Sequence, residues 1–442
     1  MLTEPPPISL ENRKPGHAGR LTADETAALK KLWLRVFDLF QQAGQPWELS
    51  TNEKAPKSTG RFWPLVGGNE KKSNELVFVG RTSNPRWMSL PLKDAIPLIP
   101  GDSLARTFWN MVATDNPDSA MLRYLRARKW DFEAAYWMLA DTLRWRLYMR
   151  IDDITALGEV GLQDHLNQIR AGMGEQFMAQ MRSGKATLGG PDKDSRGVAF
   201  LNVRLHHKED QPHEVIQIVG LYLVETARLF CGHPMDTACI VFNLEKFTLA
   251  NMDLELLKFM ITSLQNYYPE TLGLILIHKA PWIFSTVWHM IVPLLDPVVA
   301  SKIQFTQSLS DFTKFIDISG VPVIISGDPN RKTKDEASTA SPIMTTLDRT
   351  SKAYAAYEEE KVAYTEETLA WAKQPVEEDL ERDALRRLAR GRAYRLKRIQ
   401  AEKDLRSPTS YHAKGIIHLT DENRLLIDFG TSFKQQDITD RV

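Results

Sequence analysis

Two cysteines in 442 residues, Cys231 and Cys239, leave no disulfide framework and exclude a small cross-linked secreted scaffold. That scarcity suits a reducing compartment, so the cytoplasm is the expected address. An excess of either charge is also missing. The 56 lysines and arginines balance the 56 aspartates and glutamates, leaving no bulk positive field to hold a nucleic-acid backbone. No nucleic-acid partner is expected. The first residues carry Pro5, Pro6 and Pro7 and lack the apolar run behind a basic flank that marks a secretory signal. No stretch reads as a membrane span either. The most apolar long window, residues 281–300, contains His289, Pro293, Asp296 and Pro297, which suit a bilayer helix poorly by cost and by hydrogen bonding.

The motifs of phosphate and acyl chemistry are absent as well. No GxGxxG follows a predicted strand, no GxxxxGK[ST] occurs, and no GxSxG elbow is present; the nearest approach, Gly184 with Lys185, lacks the preceding glycine. An enzyme is therefore not expected, and neither is a cofactor. Cys231, His233 and Cys239 are near one another in sequence, but a closed zinc site needs four ligands and an open one three well placed ones. Cys239 inside an apolar run is more simply core packing, so no metal is expected. No internal repeat is found.

Thr22 and Glu25 form a capping box ahead of Leu29, Leu32, Trp33, Val36 and Phe40 at helical spacing, which predicts an amphipathic helix over 22–43. From 45 to 101 the chain is rich in proline, lysine, serine and glycine around one apolar run, 76–79, and reads as a loose connection. Three helices are expected between 104 and 150, the third capped by Asp131. Apolar runs at 198–205, 239–244, 272–277 and 321–325, separated by helical stretches, then predict a βαβ sheet whose middle strands are buried on both faces. After a polar linker over 328–346 come two helices, to about 373 and, past Pro375, to about 403. The second is acidic at its start and basic from Arg386 to Arg398. It reads as a solvated helix, with contact to an anionic membrane as the alternative. The tail, 415–433, alternates weakly as a hairpin would. The resulting division is 1–101, 102–150, 151–328 and 329–442.

Three segments carry more specific information: 122–131 (LRYLRARKWD), 266–270 (NYYPE) and 294–302 (LLDPVVASK). Glu270 precedes the strand at Leu272, and Lys302 precedes a short strand at 303–305, one crossover later. In a parallel sheet, equivalent positions one βαβ unit apart lie at the same edge, so the carboxylate and the ammonium can face each other. Spacing alone leaves two readings open, a surface ion pair worth about 0–1 kcal/mol and a polar ligand site. Between them, Trp282, Phe284, Trp288, Met290, Ile291, Val292, Leu294 and Leu295 leave almost no polar face, so that helix must be buried or membrane-facing. Core packing accounts for it; so does a helix that covers an apolar cavity and opens onto lipid. For any lipid carrier such a cavity is mandatory. At about 0.8 kcal/mol per methylene, exposing two acyl chains to water costs on the order of 20 kcal/mol.

In this order, the three segments resemble the CRAL-TRIO lipid-binding family and, within it, the fungal phosphatidylinositol-transfer branch. The resemblance covers about 104–328. It implies an α/β fold in which a helical N-terminal lobe precedes a mixed or parallel β-sheet lobe. Helices flank that sheet around an apolar lipid cavity, and a helical extension follows at the C-terminus. It also implies a mobile gate over 282–295, with Trp282, Phe284, Trp288, Ile291 and Leu295 touching the acyl chains. The family positions that recognise phosphatidylinositol match Arg128, Lys129, Glu270 and Lys302; for Arg128 and Lys129 the alternative is a solvated helix end. Cations there would balance the phosphodiester while a carboxylate accepts inositol hydroxyl protons.

The chain departs from the family pattern at three places. Val299 stands where a threonine hydroxyl would contact the headgroup, a loss of roughly 0.5–1.5 kcal/mol. Ala238 and Ile240 stand where the family's phosphatidylcholine pocket uses hydroxyls. The resemblance thus implies a bound lipid, phosphatidylinositol, carried or presented at a transiently contacted membrane surface, with little exchange against phosphatidylcholine. Two alternatives stand beside it. One is a carrier of a neutral hydrophobe such as a sterol or another isoprenoid. The other is a lipid-sensing adaptor that docks protein partners through its terminal extensions.

Overall fold

The computed structural model describes residues 8–45, 86–232, 236–432 and 435–442. The apolar run at 76–79 and His233 of the imagined zinc cluster lie outside these residues. The first helix, α1 (Ala23–Phe40), begins with the expected capping box. Thr22 Oγ1 accepts from the Glu25 amide at 3.2 Å, and the Glu25 carboxylate accepts from the Thr22 amide at 2.9 Å. The stretch after residue 85 is not loose, as its composition suggested. It forms short helical turns, Arg86–Ser89, Leu92–Ala95 and Ile96–Leu98, that bury Trp87, Ala95, Ile96 and Ile99 against the helical core.

Three helices follow as expected: α2 (Gly101–Val112), α3 (Pro117–Ala127) and α4 (Phe132–Met149). Asp131 caps the last of them by accepting from the Ala134 amide at 3.0 Å. Helices α5 (Ile151–Ile169) and α6 (Met173–Arg182) lead into the sheet. Its strands are β1 (Ala186–Gly189), β2 (Val198–Asn202), β3 (Ala238–Asn243), β4 (Leu272–His278) and β5 (Ile303–Thr306), in that spatial order. The last four are parallel and β1 is antiparallel. The β2–β3 crossover carries α7 (His213–Ala227), the β3–β4 crossover α8 (Leu254–Tyr267), and the β4–β5 crossover α9 (Phe284–Ile291).

The run at 321–325 is not a strand. Pro322 has no amide to offer a ladder and instead starts the helical turn Val323–Ser326, with the Ile325 amide donating to its carbonyl at 3.0 Å. Val321 and Ile325 are buried under the sheet with Phe312 and Ile316.

The C-terminal helices α10 (Lys352–Lys373) and α11 (Leu380–Gln400) pack against each other, and α10 packs on α1. The basic helix is therefore neither solvated nor free for a membrane over its whole length: Arg387, Arg395 and Arg398 are buried. Arg387 grips both carboxylate oxygens of Asp118 on α3, at 2.8 and 2.9 Å, and Trp33 and Tyr364 donate to the same carboxylate. The tail forms the antiparallel strands β6 (Ile417–Leu419) and β7 (Leu425–Ile427), the expected hairpin, with β8 (Gln436–Asp437) added beside β7.

Candidate functional site

Strand periodicity sorts the sheet into two faces. On β3, Cys239 and Val241 point into the core with Phe200, Leu274, Leu276 and Phe312, while Ala238, Ile240 and Phe242 point the other way. That second face floors the apolar part of a continuous cavity of about 1200 Å³. Its opposite walls are α7, through Val219 and Leu223, α8, through Met260 and Leu264, and α9, through Val287 and Ile291. The volume exceeds the roughly 300–1000 Å³ that serves a drug-sized ligand, and the aliphatic lining suits hydrocarbon. The expectation that the middle strands are covered on both faces thus needs refinement: one face meets core, the other meets this cavity.

The polar end lies where β4 and β5 begin. Lys302 Nζ donates to the Leu272 carbonyl at 2.6 Å. Glu270 does not meet it across the sheet edge. Its backbone takes a left-handed turn, φ 58°, just before β4, and its carboxylate lies 3.8 Å from Arg126 Nε on α3. Arg126 and Arg123 stand three residues apart and so share a helix face. Arg123 donates to the carbonyls of Glu270 and Asp236, at 3.1 and 2.9 Å, and pairs with Asp115 at 3.4 Å. Burial, then the neighbouring charge of Arg123, pulls the Arg126 guanidinium pKa down. Burial would raise the Asp236 carboxyl, but the hydrogen bond from His17 and the charges of Arg123 and Arg126 outweigh it and hold it well below the usual range.

Arg128 and Lys129 line the same cavity but are exposed, on the turn that ends α3, where Lys129 and Trp130 take φ of 51° and 66° and the Trp130 amide returns to the Leu125 carbonyl at 2.7 Å. Val299, Ala238 and Ile240 also line it, so the three departures lie on the ligand side of the fold. Arg123 and Arg126 were missed, although both belong to the LRYLRARKWD segment. The signal that could have found them is their helical spacing, which turns them away from Arg128 and toward the sheet.

Beside the cavity, Phe284, Trp288, Ile291 and Leu295 contribute to the lining, with Phe284 and Val287 buried. Trp282, by contrast, is 86% exposed, and Met290 and Val292 are also exposed. The segment is thus apolar on its cavity side and mixed on its solvent side, where Ser285, Thr286 and His289 are exposed beside Trp282, Met290 and Val292, so the sequence expectation of almost no polar face does not hold. Trp288 packs edge-on against Phe305, itself half exposed on β5.

The cysteines stand apart from this chemistry. Cys239 is fully buried, and burial pushes its thiol far up; burial also pushes Cys231 up to about 11. Both shifts oppose the thiolate that a metal would need.

A helical lobe, a mostly parallel sheet and an apolar cavity between the sheet and its crossover helices define a protein that encloses a hydrophobic ligand. Residues 83–141 match the family described as CRAL/TRIO, N-terminal domain, and residues 181–327 match the CRAL/TRIO domain. Phosphatidylinositol transfer protein CSR1 of Eremothecium gossypii is 34% identical over 342 residues, 71% of this chain and 77% of that protein. CRAL-TRIO domain-containing protein C3H8.02 of Schizosaccharomyces pombe is 33% identical over 323 residues, 69% and 70% of the two chains. The chain belongs to the CRAL-TRIO family. No helix among the described residues is long and apolar enough to cross a membrane.

Proposed function

We propose that this protein binds phosphatidylinositol and moves it between membranes, or presents it at a membrane, without covalent chemistry. The observation that carries the reading is the apolar part of a continuous cavity of about 1200 Å³, which ends on Lys302, Glu270 and Arg126. Acyl chains would occupy the aliphatic part. The phosphodiester would take Lys302, with Arg128 and Lys129 near the mouth, and the inositol hydroxyls would donate to Glu270. The name of the Eremothecium gossypii relative supports the same ligand. Cytoplasmic residence and transient contact with intracellular membranes complete this reading. Mass spectrometry of lipid extracted from the purified protein tests it directly, and a neutral isoprenoid with no inositol lipid would overturn it.

Ala238 and Ile240 point into the cavity and offer no hydroxyl to a choline phosphate, which would lose hydrogen bonds on entry. Vesicle assays should therefore show little phosphatidylcholine transfer by the native chain. Ala238→Ser together with Ile240→Thr should raise it. Robust native phosphatidylcholine transfer would mean that other cavity residues supply those contacts.

The exposed apolar residues of 282–295, Trp282, Met290 and Val292, mark the surface we assign to the bilayer, with the segment swinging as the gate. Prolines at 281 and 293 bracket it, where backbone change must be absorbed. With Trp282 and Trp288 kept and the other tryptophans changed to phenylalanine, vesicles containing brominated lipid should quench the fluorescence. Met290→Asp should weaken both quenching and transfer, because Met290 is exposed on the side assigned to the bilayer, whereas Phe284 is buried, and a charge near the lipid interior is costly. Full transfer without quenching would move the membrane contact elsewhere. Presentation to a protein partner remains a variant of this reading. It would be supported by surface substitutions that leave vesicle transfer intact and abolish activity in cells.

A further inference from the structure

Around Glu225 the cavity continues into a crevice of different character, walled by α2, the α4–α5 junction and parts of residues 349–406. Arg146, Arg228, Arg398 and Arg406 line it, with exposed Arg106 and Arg349 at its rim. None of these arginines takes part in the headgroup end at Glu270 and Lys302.

The carboxylates at hand do not balance them. Glu225 is shared by Arg146 at 2.7 Å and Arg228 at 2.9 Å, and Tyr268 also donates to it at 2.8 Å. Asp152 pairs with Arg146 at 3.3 Å and accepts from Asn110 at 3.0 Å. Glu402 is taken by Arg398 through Oε2, while its Oε1 is buried without a hydrogen-bond partner among the described residues, and the rim residue Arg106 pairs with Asp102 at 3.8 Å, leaving six arginines to four carboxylates. Arg406 is buried and donates to the Glu225 carbonyl and the Thr226 hydroxyl, at 3.1 and 3.2 Å. Among the described residues no carboxylate bridges Arg406 or Arg349. The Nε atoms of Arg146, Arg398 and Arg406, all three on buried side chains, find no acceptor among the described residues. Burial pushes the Arg406 guanidinium pKa down, against the upward pull of the Glu402 and Glu225 charges, whereas the paired Arg146 and Arg398 are raised.

Buried charges persist where they are paired, and buried donors where they are satisfied. Guanidinium groups from several chain segments, converging with spare donors, match a group that carries two negative charges and several acceptor oxygens. We propose that this crevice is a second binding site, for an anion bearing a phosphomonoester, distinct from the phosphodiester end of the lipid cavity. Such an anion would link the helical lobe to the 349–406 segment. Two sources share this chemistry: a soluble phosphorylated molecule entering past Arg106 and Arg349, and a phosphorylated lipid headgroup whose chains lie in the continuous apolar cavity.

The test uses the full chain, with two probes and two variants. Inositol 1,4,5-trisphosphate is titrated calorimetrically at about 0.15 M salt, where exposed charges are largely screened. In parallel, phosphatidylcholine vesicles containing phosphatidic acid are offered for extraction. Arg349→Glu reverses an exposed rim charge, and Arg406→Gln removes the buried one. Saturable one-to-one trisphosphate binding, weakened at least tenfold in either folded variant while Arg349→Glu keeps phosphatidylinositol transfer, supports the site with a soluble ligand. Phosphatidic acid extraction lost in the same variants supports it with a lipid. If Arg406→Gln does not fold, Arg349→Glu alone decides. Binding of neither probe, or binding unchanged in every folded variant, overturns the proposal.

Discussion

Replacing Lys302 with alanine, alone or together with Glu270→Ala, should lower phosphatidylinositol transfer at least tenfold while the circular dichroism spectrum and melting temperature change little. The size follows from the interaction removed. A hydrogen bond to a charged group contributes about 1.5–3 kcal/mol, and 1.4 kcal/mol is already tenfold. Stability should be nearly unaffected because Lys302 makes one hydrogen bond in this state, to the Leu272 carbonyl. Glu270, partly exposed, meets Arg126 only at 3.8 Å. Transfer rather than binding alone should be measured, since a carrier must both extract and release its lipid. Equal transfer by variant and native protein would remove Lys302 and Glu270 from the headgroup assignment. Arg123 and Arg126 would then be the next groups to test, and Arg126 first, because it already meets the Glu270 carboxylate and burial depresses its pKa.

The parts of this fold that were legible in the sequence are those governed by local rules. The Thr22–Glu25 box fixed the start of α1, Asp131 fixed the start of α4, and three continuous apolar runs gave β2, β3 and β4. Where composition was asked to decide, it misled. Residues 86–98 look like linker by proline and lysine content, yet Trp87, Ile96 and Ile99 bury against helices distant in sequence. Residues 321–325 look like strand by apolarity, yet Pro322 bars them from the ladder. Strand β1 escaped notice because four residues, ATLG, carry too little periodicity to read.

The candidate site divides along the same line. Glu270 and Lys302 were legible as positions, since parallel strands bring their ends to one edge. The direction of each side chain was not, because the left-handed backbone at Glu270 turns its carboxylate toward α3. The arginine-rich crevice was illegible for a further reason. Arg106, Arg146, Arg228, Arg349, Arg398 and Arg406 come from segments spread over about 300 residues of sequence, and only the packing of 349–406 onto the helical lobe gathers them.

That packing leads to the last prediction. Asp118→Ala should destabilise the whole protein by about 3–5 kcal/mol, read as a fall in the urea midpoint. In the native chain Asp118 accepts from Trp33 at 2.8 Å, Tyr364 at 3.1 Å and Arg387 at 2.8 and 2.9 Å, so one carboxylate joins α1, α3, α10 and α11. Burial disfavours the Arg387 charge; Asp118, with Tyr364 and Asp383 behind it, more than offsets this and raises its pKa. Removing the carboxylate leaves that cation buried with the Thr368 and Tyr364 hydroxyls, the Trp371 ring at 4.4 Å and the charge of Asp383 as its remaining partners. The second substitution gives the sign of the argument. Asp118→Leu combined with Arg387→Met removes both charges and should recover much of the loss, since replacing a buried pair with apolar groups of similar volume is often neutral. The same geometry bears on the terminal helices as a docking arm. Trp33, Phe108, Trp109, Tyr364 and Tyr394 form one aromatic cluster across α1, α2, α10 and α11, so deletion from residue 352 onward should expose it and yield insoluble protein. A truncated chain that folds and transfers lipid, with Asp118→Ala within 1 kcal/mol of native, would show instead that the C-terminal helices are an appendage free to bind a partner.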